Sequence, residues 1–249
     1  MTEKSGNCDA EEFTFSANGN CLAATKIWSR PRTPVRVAAF HGFGRTANRA
    51  RIRYLLDPIA NDGISSLCFD FSGNGESSGA FEDTTLRMRE AECEEALNLL
   101  DRRSPLAIIG TSMGAHLAVL ASEAHDPKCL ILFSPAAYSD VVRDCRFDSS
   151  FAERPDRFAS AKDATGSSFV RALSRFRGDL LVIAGTGDTV VPAETAALYS
   201  SAAPLARSNR TIHLEGCDHF VHPWLIQNDT QRARVMEAIL SMLKMADAS

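Results

Sequence analysis

The sequence has no apolar run long enough to span a bilayer, so it contains no candidate membrane-spanning helix. It also has no basic tract. Its 27 Lys and Arg stand against 31 Asp and Glu, a formal net charge of −4, so binding to nucleic acid or to an acidic membrane is not expected. The seven cysteines (Cys8, Cys21, Cys68, Cys93, Cys129, Cys145 and Cys217) are odd in number and scattered, several within apolar strand patterns. That argues against a disulfide framework and for reduced thiols. No C-x-x-C pair or His/Cys cluster has zinc spacing, so no metal site is expected. Residues 1–9 show neither an apolar core nor a cleavage signature. Together with reduced thiols, this predicts a cytoplasmic protein. There is no glycine-serine linker and no internal repeat, which predicts a single domain over 1–249.

What is present suits a large core. Apolar residues make up 45% of the 249 and charged residues 23%. Phe13 and Phe15 alternate with polar neighbours, Asn18-Gly19-Asn20 reads as a tight turn, and 21–28 returns, predicting an edge hairpin. Further strands are expected at 35–40, 64–69, 106–109, 129–133, 180–184 and 211–214. Helical spacing falls between them at 47–60, 85–102, 113–124 and 229–245, with Leu86, Ala91, Leu97 and Leu100 marking the buried side of the second. This alternation predicts an α/β fold: a mostly parallel sheet with helices on both faces. The stretch at about 135–177 is more charged and less periodic, with eight Lys and Arg against six Asp and Glu. It reads as a small cap or loop insertion that would hang over residues 110–114, because both flanking strands end on the same sheet edge, its charges mainly a solvated face.

The chemistry gathers where strand 106–109 meets Gly110-Thr111-Ser112-Met113-Gly114 and a small-residue helix follows. Strand, G-x-S-x-G and helix form a nucleophile elbow, with Ser112 on the sharp turn. A serine hydroxyl needs a base, and the base needs an orienting acid. Asp188 lies in the glycine-rich turn Gly185-Thr186-Gly187-Asp188 directly after a strand, and His219 lies in the loop after the last strand. Asp218 is a rival acid and His222 a rival histidine. Two N–H donors for an oxyanion are expected from Met113, which opens the elbow helix, and from Phe43 in His41-Gly42-Phe43-Gly44. His41 is expected to brace that loop. The Phe43 and Met113 side chains could wall an acyl pocket or belong to the core. The glycines at 73–79 lack the lysine of a phosphate-binding loop, so no nucleotide is expected there.

The segments His41-Gly42-Phe43-Gly44, Gly110-Thr111-Ser112-Met113-Gly114, Gly185-Thr186-Gly187-Asp188 and Gly216-Cys217-Asp218-His219, in this order, resemble the marks of the α/β-hydrolase superfamily. Phe69-Asp70-Phe71-Ser72-Gly73-Asn74-Gly75-Glu76-Ser77-Ser78-Gly79-Ala80-Phe81 further resembles a segment of feruloyl/cinnamoyl esterase-like and serine-aminopeptidase-like (S33) hydrolases. Asn74 stands where those relatives usually have histidine, and Thr111 replaces the usual histidine before the nucleophile. The expected function is hydrolysis of a small or medium carboxylic ester through an acyl-enzyme, with Ser112, Asp188 and His219 catalytic, Phe43 and Met113 forming the oxyanion hole, and no metal or organic cofactor. The same groups would serve a thioesterase, an amidase or an acyltransferase, and a non-catalytic ligand-binding module could keep the fold. A small-molecule ester or thioester is the expected partner. The sequence leaves the oligomeric state open.

Overall fold

In the computed structural model, residues 8–101, 105–159 and 166–248 are described. β1 (Asp9–Ala17) and β2 (Asn20–Trp28) form the expected antiparallel hairpin, joined by Asn18 and Gly19. Both turn residues have positive φ, 51° and 76°, the geometry a two-residue hairpin demands. β3 (Val35–Phe40), β4 (Ser65–Phe69), β5 (Ala107–Thr111), β6 (Cys129–Phe133), β7 (Asp179–Gly185) and β8 (Ser208–Leu214) complete one sheet in the order β1-β2-β4-β3-β5-β6-β7-β8. β2 pairs antiparallel with β4, and every pairing from β4 to β8 is parallel.

Parallel strands need crossover helices, and these cover both faces. β6 shows the division: Leu130 and Leu132 enter one core layer, while Cys129, Ile131 and Phe133 enter the other. On the first layer lie α2 (Leu86–Asn98), α3 (Met113–His125), α4 (Ser168–Arg175) and α5 (Thr195–Ala202). On the second lie α1 (Arg53–Asn61), α6 (Val221–Gln227) and α7 (Asp229–Ala248). α4, α5 and α6 have only seven or eight residues each, too short to show a clear period in sequence. They are held by packing, as Phe169, Tyr199 and Leu225 are fully buried.

α2 departs from its expected form in two ways. It closes at Asn98 with two tighter turns through Leu99 and Leu100, and the end of the predicted span, from 102, lies outside the described residues. Its buried side also includes two charged residues, whereas Ala91 is only half-buried. Arg89 and Glu92, both 0% exposed, form an ion pair of 3.3 Å. The Arg89 guanidinium lies over the rings of Phe71, Phe81 and Phe147. Glu92 accepts hydrogen bonds from the Ser72 N–H and hydroxyl. A buried charge persists only where partners replace its water. Glu92, Asn74 and Thr84 take the terminal guanidinium nitrogens of Arg89, while its Nε is left without a hydrogen-bond partner among the described residues.

The segment after β6 includes 3-10 turns at Asp140–Val142 and Phe151–Glu153 and a bridge between Tyr138 and Phe158 before α4. Its apolar residues Val142, Phe147, Phe151 and Phe169 join the layer over α2 and α3. Many of its charges meet acids at the surface: Arg143 with Glu90, Arg146 with Asp83, Arg154 with Asp156 and Arg175 with Glu123. Lys162 and Asp163 lie outside the described residues.

Candidate active site

In an open parallel sheet the strand order reverses at one point, and the carboxyl ends of the strands there leave a crevice. Here β3 is flanked by β4 and β5, so the crevice opens beside the ends of β3 and β5. The loop after β3 carries Phe43, the end of β5 carries Ser112, and the turns after β7 and β8 carry Asp188 and His219.

The elbow is shaped by close approach. Ser112 has φ 50° and ψ −110°, a conformation that non-glycine residues rarely adopt. A Cβ on Gly110 would lie 2.6 Å from the Ala115 nitrogen, and one on Gly114 would lie 2.6 Å from the His41 carbonyl oxygen. Only glycine lets β5 and α3 meet this tightly and holds the serine at the turn. The turn after β7 is set in the same way, since a Cβ on Gly185 would lie 2.7 Å from the Asp218 carbonyl oxygen.

Three residues distant in sequence converge here. His219 Nδ1 lies 2.7 Å from Asp188 Oδ2, and His219 Nε2 lies 3.0 Å from Ser112 Oγ. An ionised carboxylate can only accept, so Nδ1 carries the proton and Nε2 is left to accept from the serine hydroxyl. Asp188 Oδ1 also accepts from the N–H groups of Val190 and Val191, at 2.8 and 3.2 Å. Partial burial works to raise the Asp188 pKa, but the hydrogen bond and charge of His219 and the two N–H groups outweigh it. The carboxyl is thereby held below the usual carboxylate range and stays ionised.

The rivals lie elsewhere. Asp218 is exposed, and its Oδ1 accepts from the Phe220 N–H at 2.9 Å, a local turn contact. His222 is buried on α6 between Tyr54 Oη at 2.9 Å and Thr111 Oγ1 at 2.6 Å. Thr111, one of the two departures from the family pattern, therefore ties α6 to the elbow. Asn74, the other departure, donates from Nδ2 to the carbonyls of Gly44 at 2.8 Å and Ala47 at 3.1 Å. Its Oδ1 accepts from Arg89 at 3.2 Å. His41 Nε2 accepts from the Phe71 N–H at 3.1 Å, bracing the loop after β3. Sequence reading missed Arg89 in this framework, because charge on a helix ordinarily signals a solvated position.

Met113 opens α3, where the first N–H groups have no intrahelical acceptor. Among the described residues, no hydrogen bond uses the N–H of Phe43. The Met113 side chain is fully buried in the core, whereas the Phe43 ring lines the cleft and stacks on Phe151. The cleft is open to solvent and is lined by Ser112, His219, Phe43 and Ile52, among others. Among the described residues, none of the segment between β6 and β7 lines it.

Comparison with known families places this geometry. The family model described as serine aminopeptidase, S33, matches residues 32–158, just over half of the chain. The chain belongs to this family. The S33-type match spans the loop of Phe43, the Asn74 turn and the elbow, so it covers the nucleophile half of the site. No curated protein sequence matches the chain. Among solved structures, a serine hydrolase involved in carbazole degradation, the CarC enzyme, aligns with TM-score 0.69 at 18% identity, covering 95% of this chain and 100% of that one. Est1E from Butyrivibrio proteoclasticus, bound to ferulic acid, aligns with TM-score 0.67 at 19% identity, covering 93% and 99%. A thioesterase domain from the curacin biosynthetic pathway aligns with TM-score 0.65 at 17% identity, covering 94% and 99%. These likenesses are of fold, and the fold is that of the α/β-hydrolases, to which S33-type serine hydrolases belong.

Proposed function

We propose that the protein hydrolyses small or medium carboxylic esters through an acyl-enzyme on Ser112. The observation that carries this reading is the hydrogen-bonded chain from Ser112 Oγ through His219 to Asp188, beside an open cleft. His219 Nε2 takes the hydroxyl proton as Ser112 Oγ attacks the carbonyl carbon. The N–H groups of Phe43 and Met113 receive the oxyanion, where fixed dipoles stabilise developing charge without having to reorient. The imidazolium then gives its proton to the departing alcohol. In the second half, His219 draws a proton from water, whose oxygen attacks the acyl carbon and frees Ser112. Asp188 keeps the imidazole in one tautomer and balances its charge throughout.

Intact-mass analysis after treatment with a fluorophosphonate tests this reading, with Ser112→Ala as control. One adduct is expected on the native protein and none on the variant. Turnover of p-nitrophenyl butyrate should fall about 10⁴-fold or more in Ser112→Ala. A labelled residue other than Ser112, or unchanged turnover in the variant, would refute the mechanism. A panel pairing oxygen esters with their thioesters then separates esterase from thioesterase.

A further inference from the structure

The segment from Arg45 to Arg53 carries four arginines, and three of them meet carboxylates. Arg45 pairs with Glu82, and Arg49 pairs with Asp70, Glu12 and Glu76. Arg53 pairs with Asp57 at 3.0 Å. Arg51 differs: among the described residues no carboxylate lies within ion-pair distance of it, and its guanidinium donates to Thr46 Oγ1 at 3.2 Å. Its side chain is exposed and lines the same cleft as Ser112 and His219.

The rest of the wall does nothing to neutralise that charge. Among the described residues the lining contains no aspartate or glutamate, and Asp188 reaches the site through the imidazole of His219. Two further wall residues, His41 and His222, are buried. Burial holds their pKa values down to about 4 and about 3, helped by the positive charge of Arg89 and, less, Arg51 at His41 and of Arg51 at His222, so both are neutral near pH 7. Phe43, Ala47, Ile52, Val221 and Pro223 make much of the remaining surface apolar. A fixed cation in a concave, largely apolar wall focuses its field into the cleft, where an anion gains more than it would at an open surface. The planar guanidinium matches a carboxylate with two parallel hydrogen bonds.

We propose that Arg51 is a specificity-determining residue that binds a free carboxylate on the substrate, so that the site prefers esters carrying a second, ionised carboxyl group. The proposal rests on the ester-hydrolase reading above and adds the substrate class to it. A hemiester of a short dicarboxylic acid meets the requirement, since Ser112 and Arg51 line one open cleft. Arg51 acts on recognition and takes no part in proton transfer.

Two measurements test the assignment. In the first, kcat/KM is compared for p-nitrophenyl hemiglutarate and its uncharged methyl ester, and for 4-carboxyphenyl butyrate and its methyl ester. The acid is expected to be favoured over its ester in at least one pair, by about fivefold. Arg51→Gln should abolish that ratio, and Arg51→Glu should invert it. A purely structural role for Arg51 would lower both members of a pair alike and leave the ratio standing. Absence of any preference in the native protein, or a ratio that survives Arg51→Gln, would overturn the proposal. In the second, calorimetry follows monomethyl glutarate and dimethyl glutarate binding to Ser112→Ala protein, which needs no turnover. Selective binding of the monoester that is lost on adding Arg51→Gln supports the anion site even if no ester is hydrolysed. Equal binding of both compounds, or of neither, refutes it.

Discussion

Asn74 Nδ2 donates to the carbonyl of Gly44 at 2.8 Å, tying the turn after β4 to the loop after β3. That loop carries the Phe43 N–H, and Arg89 holds Asn74 from behind. The pairing turns a buried ion pair on α2 into a support for the proposed oxyanion hole.

Asn74→Ala is therefore expected to lower kcat by about 10- to 100-fold with a smaller change in KM, because the donor is displaced from the transition state. It should also cost about 1–3 kcal/mol of stability, since the Ala47 carbonyl loses a buried donor and buried Arg89 loses an acceptor. Steady-state kinetics and chemical denaturation check both. An unchanged kcat would show that the loop holds its shape without Asn74.

Asp188 and Asp218 are separated by their surroundings, and substitution should show it. Asp188→Asn is expected to reduce turnover about 10⁴-fold, as the wrong imidazole tautomer is favoured. Asp218→Asn should stay within a few-fold of the native rate, because its carboxylate accepts only a local N–H. The opposite ranking in kcat/KM would reassign the acid. The depressed pKa of Asp188 also has a stability consequence. Its contribution is present above the ordinary carboxylate value and is lost as pH falls through the lower folded one.

Gly114→Ala should disable the elbow. The added Cβ would lie 2.6 Å from the His41 carbonyl oxygen, with backbone on both sides of the clash. A loss of about 1–3 kcal/mol is expected, together with failure of fluorophosphonate labelling at Ser112. Retained labelling at native rate would mean that β3 can retreat without moving the serine.

His116 packs against Tyr138 and Phe169, and its Nδ1 is buried with no hydrogen-bond partner among the described residues. Burial lowers its pKa from 6.5 to about 4. Between those values the unfolded chain binds a proton that the folded chain refuses, so stability falls as pH drops from about 6.5 toward 4. His116→Phe should remove one proton from the uptake that accompanies unfolding near pH 5. Urea denaturation of both proteins at pH 7, 6 and 5 measures it, and parallel pH dependences would contradict the argument.

Much of this protein was legible in the sequence, because the signals were local. Alternating apolar runs and helical spacing mark strands and helices, and the order of elements implies a parallel sheet. Gly110 and Gly114 flank Ser112 so closely that the elbow can be read from five residues. The short helices α4, α5 and α6 could not be read in this way, since packing rather than periodicity holds them. Choices between near neighbours belonged to the tertiary structure. His219 and His222 are three residues apart, yet only the fold turns one toward Ser112 and Asp188 and the other toward Tyr54 and Thr111. Charge followed the same rule. The sequence counts arginines, but whether one is paired depends on which carboxylate the chain brings within reach. The fold gave Arg49 three such partners and gave Arg51, two residues on, a place in the wall of the cleft.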